Sequence, residues 1–335
     1  MSENSNKIDV VISWVDGNDP EWRASKAEWE KKIKGITDSG NGDLRYRDWD
    51  NLQYIFRGIE TFMPWVNKVH FVTWGHLPAW LNTECEKLHI VNHKDYIPEE
   101  YLPTFNSNTI DLNFHRIPGI AEQFLYFNDD MFVIQKSEPE DFFVNGLPKD
   151  LAVVSPSPAF RDVICNIECN NLGIINDYFT PADIKKNRKK WYSSKYGKFM
   201  LRTMIFSKFS SIIGLFEPHV PFSHLRSTMT ELWDKEFDAL DQTCRNKFRT
   251  KEDVNEWLFR QWQIMSGKFE PRRYDFGIYT RGSEYEYVSS LFKNPGHTHL
   301  VCINDSTTVT DYEECKKQIN KALDELLPDK SKFEK

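Results

Sequence analysis

The run Phe124-Leu125-Tyr126-Phe127 stops on Asn128-Asp129-Asp130, and this junction limits the folds open to the chain more than any other stretch. Apolar and aromatic residues running straight into three polar ones have the pattern of a buried strand that ends at a functional edge. In open α/β sheets ligands collect outside the carboxyl ends of the strands, which is where the triplet would fall. Adjacent carboxylates repel, so keeping both ionised takes a cation, strong donors or open water. A divalent metal that also holds a phosphate would meet that need. The same residues fit a solvated turn between two hairpin strands, because Met131 to Ile134 is apolar again.

The rest of the chain supplies a sheet for such a strand. Ile8 to Trp14 is a short β-branched run closing on Asp16-Gly17 and reads as the first buried strand. Asp19-Pro20 then provides a cap and a first-turn proline for a polar helix to about Lys34. Leu52, Ile55, Phe56, Ile59, Phe62 and Met63 recur at helical spacing, so Asp48 to Met63 is an amphipathic helix stopped by Pro64. Lys68 to Trp74 and Leu88 to Asn92 are further strands. This order predicts a parallel sheet with right-handed crossovers and FLYF as its central strand.

Later in the chain, Thr228 with Glu231 and Thr250 with Asp253 carry helix-start signals. His299 to Ile303 reads as a late strand, and Thr310 to Leu327 as a closing amphipathic helix. The expected fold class is α/β, a Rossmann-like, mostly parallel sheet with an inserted helical subdomain. Residues 1–138 would form the first half of the catalytic domain, 139–216 the helical insertion and 217–335 the second half. No glycine-rich phosphate fingerprint or Walker sequence follows the first strand, so a nucleotide would have its phosphates held by metal and side chains.

Composition narrows the partners. Aromatics make up 14% of the 335 residues, eleven of them Trp, more than packing needs and in keeping with stacking on sugar rings. A net charge of −7 without a long basic block argues against a nucleic acid partner. Lys185 to Lys190 is a concentrated basic stretch, suited to a solvated helix face or to an anionic lipid or polymer. The polar N-terminus has no signal-peptide core and no run of eighteen apolar residues occurs, so a cytoplasmic setting is expected. The six scattered cysteines read as reduced thiols.

The strand ends Asn128-Asp129-Asp130 and Asn304-Asp305 offer oxygen ligands suited to a hard divalent cation. Asp9, within the first strand, and Asp16, just after it, are further carboxylates for the same edge, although a buried Asp9 also suits a structural hydrogen bond. His219, between Pro218 and Pro221, is held in a stiff polar segment and suits a general base, with His224 as a competitor. Arg45, Arg47, Arg116 and Arg249 lie in loop segments where a guanidinium could clamp phosphate oxygens.

In order along the chain, IDVVISWVDGNDP from Ile8, RYRDWDNLQYIFRGIETFMPWV from Arg45 through LPTFNSNTID to FLYFNDD, EPHVPFSHLRSTMTELW from Glu217 and VCIND from Val301 resemble the Stealth family. That family includes bacterial capsule polysaccharide phosphotransferases and the catalytic subunit precursor of N-acetylglucosamine-1-phosphotransferase. The resemblance implies transfer of a hexose 1-phosphate from a nucleotide diphosphate sugar, such as a UDP-hexose or UDP-N-acetylhexosamine, to a saccharide hydroxyl. It implies Asp9 and Trp14 in the donor site, Asn128, Asp129 and Asp130 at the sugar-phosphate and metal centre, His219 as catalytic histidine, Arg249 as phosphate clamp and Asp305 as a further acid.

On this reading Mg2+ or Mn2+ sits on Asp130 and Asp305 with Asp129 nearby, and Asp16, Arg45 and Arg116 assist substrate binding. Asp16 stands where the family usually has an amide, and Ser306 where it commonly has an acid or amide. The setting implied is capsular or cell-surface polysaccharide synthesis, with peripheral contact to the inner face of the membrane. A metal-dependent glycosyltransferase that moves the sugar alone, or a carbohydrate-binding protein without chemistry, are the rival readings.

Overall fold

The computed structural model describes residues 7–34, 36, 41–42 and 46–335. Its main sheet has the order β3-β2-β1-β4-β8: β1 is Ile8–Ser13, β2 Val69–Thr73, β3 Leu88–Asn92, β4 Gln123–Phe127 and β8 Phe222–Leu225. The first four strands run parallel, with Val10 facing Val69 on one side and Leu125 on the other. β8 closes the edge antiparallel to β4. The α/β class and the parallel sheet are as expected, but β1 takes the middle and FLYF lies beside it.

Alternation along the strands feeds two cores. Val10, Ile12, Leu125 and Phe127 point to one face, where they meet Ile55, Phe56 and Ile59 of the helix Leu52–Phe62 and Ile319 and Leu323 of the helix Tyr312–Leu326. Each such side chain, once buried, is worth roughly 1.5–3 kcal/mol. Val11, Phe124 and Tyr126 point to the other face, against Leu258 and Phe259 of the helix Trp257–Met265. Ile174, Ile175 and Trp191 from the 139–216 segment join that same core.

The Asn128-Asp129-Asp130 triplet is not the tip of a hairpin. β5 (Met131–Val133) leaves β4 and pairs antiparallel with β11 (Leu300–Asn304), which runs parallel to β10 (Gly277–Arg281) in a second sheet. The acids therefore bridge two sheets. A third small sheet joins β6 (Phe143–Val144), β7 (Leu147–Asp150) and β9 (Glu270–Pro271).

The helix signals divide. Asp19 caps Pro20–Lys32 as its sequence predicts, and the closing helix, expected from Thr310, runs Tyr312–Leu326 with Asp311 as its cap. Thr228 instead lies buried inside the helix Arg226–Lys235. Thr250 donates its hydroxyl to Asp253 Oδ1 (2.8 Å) in a turn, and the helix starts only at Trp257. All six cysteines are free thiols. Among the described residues no helix is long and apolar enough to cross a membrane.

Candidate active site

Three strands deliver the site to the carboxyl edge of the main sheet. β1 ends beneath Trp14 and Asp16, and β4 ends in Asn128, Asp129 and Asp130. β8 runs antiparallel to β4 with Phe222 against Tyr126, so the segment that leads into it, carrying His219, arrives at the same edge. Ligand atoms of His219, Asp130 and Cys302 all lie within 4.8 Å of one another.

His219 is held there by its neighbours. Glu217 accepts from Arg260 Nη1 (2.8 Å) and Gln261 Nε2 (3.0 Å), while Phe222 enters β8, so the backbone between is tied at both ends. It crosses φ = 48° at His219, a left-handed conformation that a non-glycine residue adopts only under constraint. Trp257 and Tyr279 stand edge-on to the imidazole, with ring centres 6.0 and 5.6 Å away.

The carboxylates fall under strong mutual influence. The Asp129 side chain is exposed at the surface, yet desolvation by the protein crowded around it, followed by the adjacent Asp130 charge, pushes its carboxyl up to about 7. Asp48 raises it further, and is itself raised by burial, Asp50 and Asp16. Asp130 Oδ2 accepts from Asn304 Nδ2 (3.2 Å) and from the Cys302 thiol (3.3 Å), while its Oδ1 is buried with no hydrogen-bond partner. Burial and Asp130 hold Cys302 well above the usual thiol range, so it stays protonated.

Behind Asn128 lies a buried network that sequence reasoning missed. The Tyr126 hydroxyl meets Asn128 Oδ1, Ser13 Oγ (3.0 Å) and Asp111 Oδ1 (2.9 Å). One phenolic proton cannot serve every acceptor. Burial and the Glu256 charge raise Asp111, which accepts from the phenol, well above the normal range. Burial pushes Glu256 up to about 7, and the Arg249 guanidinium, bonded to Ser107 Oγ, partly offsets both rises. Arg249 thus reaches the site from behind, through Asp111 and Glu256. The only sequence sign was the polar run Asn106–Asp111 inside an apolar context.

Several expected residues stand elsewhere. Asp9 is at the start of β1, about 13 Å of strand from Ser13. There it is fully buried and accepts from Asn67 (2.7 Å), His70 (2.9 Å) and the Ala121 amide (2.8 Å). Burial alone would raise it; these donors win and hold it below the usual range. It is a structural pin, not part of the donor site. Arg116 lies over Trp233 (4.8 Å) and donates to Asn113 (3.0 Å), contacts outside the acid cluster.

Asp305 is close but occupied. Arg47 donates to both its oxygens and Trp49 Nε1 to Oδ2 (3.1 Å), which leaves Asn304, one residue earlier, as the partner of Asp130. Arg47 therefore holds a carboxylate where it had been expected to hold phosphate. His224 is buried against Phe124 and pushed down to about 4 by burial, which removes it as a base in the cleft. Arg45 lies outside the described residues. Trp14 stacks on Phe71 (5.7 Å) and meets His76 edge-on (5.2 Å), while His76 accepts from the Asp16 amide (2.7 Å).

Conserved region 1 of Stealth proteins matches residues 6–34, and conserved region 2 matches residues 45–150. The chain is 38% identical to the capsular polysaccharide phosphotransferase WcwK of Streptococcus pneumoniae over 99% of each chain. It is 40% identical to the receptor polysaccharide phosphotransferase WefC of Streptococcus oralis, over 98% of this chain and 99% of that one. Identity to the exopolysaccharide phosphotransferase cps2G of Lactiplantibacillus plantarum is 34%, over 98% and 96%. The solved galactosyltransferase LgtC aligns over 93% of this chain and 95% of its own at 10% identity with a TM-score of 0.38, too slight a likeness to carry weight. With relatives this similar along its whole length, and both conserved regions in place, the chain belongs to the Stealth family.

Proposed function

We propose that the protein transfers a hexose 1-phosphate from a nucleotide diphosphate sugar to a hydroxyl of an oligo- or polysaccharide, in capsular or cell-surface polysaccharide synthesis. The observation that carries this reading is His219 held against Asp130 just past the end of β4, beside Asp129 in a cluster of acids. In it, His219 takes the proton of the acceptor hydroxyl as that oxygen attacks the phosphorus next to the sugar. The P–O bond to the nucleoside phosphate breaks, and a nucleoside monophosphate leaves. Arg249 acts from behind, through the charges of Asp111 and Glu256, and Trp14, His76 and Asp16 border the donor at the β1 end.

The residues present fit a divalent cation. An orphaned Asp130 Oδ1 and an Asp129 that retains its proton near neutral pH are both states a cation would relieve. Asp129 and Asp130 would hold Mg2+ or Mn2+, with Asp48 beside them and Asp305 excluded by Arg47. Such an ion supplies neutralisation of the diphosphate charge.

We place the reaction in the cytoplasm with peripheral contact to the inner membrane face. The Lys185–Lys190 stretch supports that contact less well than expected, because Lys186 pairs with Asp183 (2.6 Å) and Lys190 with Glu270 (3.1 Å). Residues 198–209 support it better: Leu201, Met204, Ile205 and Phe209 are exposed among Lys198, Arg202 and Lys208.

The chemistry is tested with a UDP-hexose labelled at the phosphorus next to the sugar, incubated with Mg2+ and an oligosaccharide acceptor. Label in the saccharide product and UMP in solution are expected. Label released as UDP would mean that the sugar moves alone, as in a glycosyltransferase.

A further inference from the structure

His219 also lines a cleft of about 420 Å³, together with Phe199, Phe216, Glu217, Tyr274 and Tyr279. That volume is in the range of small-ligand clefts. Phe199 lies 5.1 Å from Phe216 and 5.8 Å from Tyr274, and the Arg202 guanidinium covers both phenylalanines. Tyr274 and Tyr279 stay exposed at 38% and 42%. The Tyr279 hydroxyl donates to Asn304 Oδ1 (3.1 Å), and Asn304 in turn donates to Asp130, so the cleft runs into the acid cluster.

Two glycines keep this shape. A Cβ on Gly197, where φ is 53°, would stand 2.8 Å from the Tyr274 ring, and one on Gly277 would stand 2.9 Å from Val220, next to His219. Larger residues would push Tyr274 and the His219 segment into the opening.

We infer that this cleft is the acceptor subsite and binds the terminal pyranose of the growing saccharide by stacking it on Phe199, Tyr274 and Tyr279. The inference rests on the phosphotransfer reading, and the geometry of that reaction picks the occupant. In-line displacement at phosphorus brings the attacking oxygen in opposite the leaving group. The donor nucleoside belongs outside the carboxyl ends of β1 and β4, where the strand order reverses and Trp14, His76 and Asp16 stand. The nucleophile then enters from the β8 side. His219 leads into β8, and it lines the aromatic cleft. Exposed rings beside polar tips suit a sugar, whose C–H faces are apolar and whose hydroxyls need partners.

The experiment compares wild type with Tyr274→Ala, Phe199→Ala and the ring-preserving Tyr274→Phe, each checked for an unchanged unfolding midpoint. Acceptor KM should rise about tenfold in each alanine variant, the loss of one ring contact, with kcat at saturating acceptor kept. Donor KM, and slow UMP release to water without acceptor, should stay at wild-type values, and Tyr274→Phe should recover acceptor affinity. Saturation-transfer NMR of the oligosaccharide without donor should show contacts that Tyr274→Ala weakens. A rise in donor KM in step with these losses would make the cleft a nucleoside site, and unchanged acceptor binding in both alanine variants would remove the sugar from it. Failure of the phosphotransfer reading shows separately, as wild-type enzyme that releases UDP instead of UMP.

Discussion

A histidine at φ = 48° is a backbone choice that glycine would make more cheaply, so the imidazole at position 219 is kept for what it does. Replacing His219→Gly relieves the left-handed strain and forfeits the edge contacts with Trp257 and Tyr279, effects of similar size and opposite sign of about 1 kcal/mol each. The unfolding midpoint should therefore move little, while kcat falls by about 100- to 10,000-fold, the range for loss of a general base. A large drop in midpoint with turnover retained would identify a structural residue.

Asp129 gives a second prediction at this scale. Its folded carboxyl titrates near 7, against an unperturbed value of 3.8 in the unfolded chain, with desolvation as the main cause and Asp130 next. The folded protein therefore holds a proton that the unfolded chain has lost between those limits. Its contribution to stability is complete below pH 4 and falls as pH rises to about 7. Glu217 and Glu256, each pushed to about 7 mainly by burial, act in the same direction. Without added cation the unfolding midpoint should fall from pH 5 to pH 8, and Asp129→Asn should flatten that slope. Mg2+ should raise the midpoint more at pH 8 than at pH 5, since it competes with the proton. Equal effects at both pH values would mean that the ion binds elsewhere.

At the scale of elements, the site depends on how β4 hands over to β5. The apolar runs of β1, β2 and β4 and the capped helices at Pro20 and Tyr312 were legible in the sequence because their periodicity and caps are local. The split of β4 and β5 between two sheets was not, because it depends on pairing Met131 with Cys302, far along the chain. The same limit governs Asn304 and Asp305. Adjacent residues at a strand end face opposite ways, so composition alone could not tell which one reaches Asp130. Asp9 was misread for a related reason: the start of a parallel strand and its end are at opposite edges of the sheet, and only the end faces the cleft.

The Arg47–Asp305 pair turns this into a test. Arg47 also lies over Tyr312 (4.3 Å), so the pair ties the segment carrying Asp48 to the end of β11 and to the closing helix. Asp305→Asn removes the ion pair and keeps the shape. Calorimetric titration with Mn2+ should give an affinity within about twofold of wild type, a change of well under 1 kcal/mol. A drop of tenfold or more would restore Asp305 to the metal site. Donor KM should rise more than kcat falls, because what loosens is the placement of Asp48.

Seen whole, the molecule is acidic, with a net charge of −7, yet a cluster of exposed apolar side chains at residues 201–209 has cations beside it in sequence. Leu201, Met204, Ile205 and Phe209 are 58, 47, 49 and 53% exposed, on and just after the helix Met200–Phe206 that begins one residue past Phe199 of the aromatic cleft. Exposed apolar side chains among Lys198, Arg202 and Lys208 match the boundary of an anionic bilayer, where alkyl groups enter the headgroup region and the cations meet lipid phosphates. A contact there would also set the cleft mouth beside the membrane surface. In a flotation assay the protein should rise with vesicles containing anionic phosphatidylglycerol and stay behind with pure phosphatidylcholine, and salt should weaken the association. Leu201→Asp with Ile205→Asp should abolish flotation while phosphotransfer to a free oligosaccharide continues at the wild-type rate. Equal flotation on both lipids, or flotation that survives the double substitution, would separate this surface from the membrane.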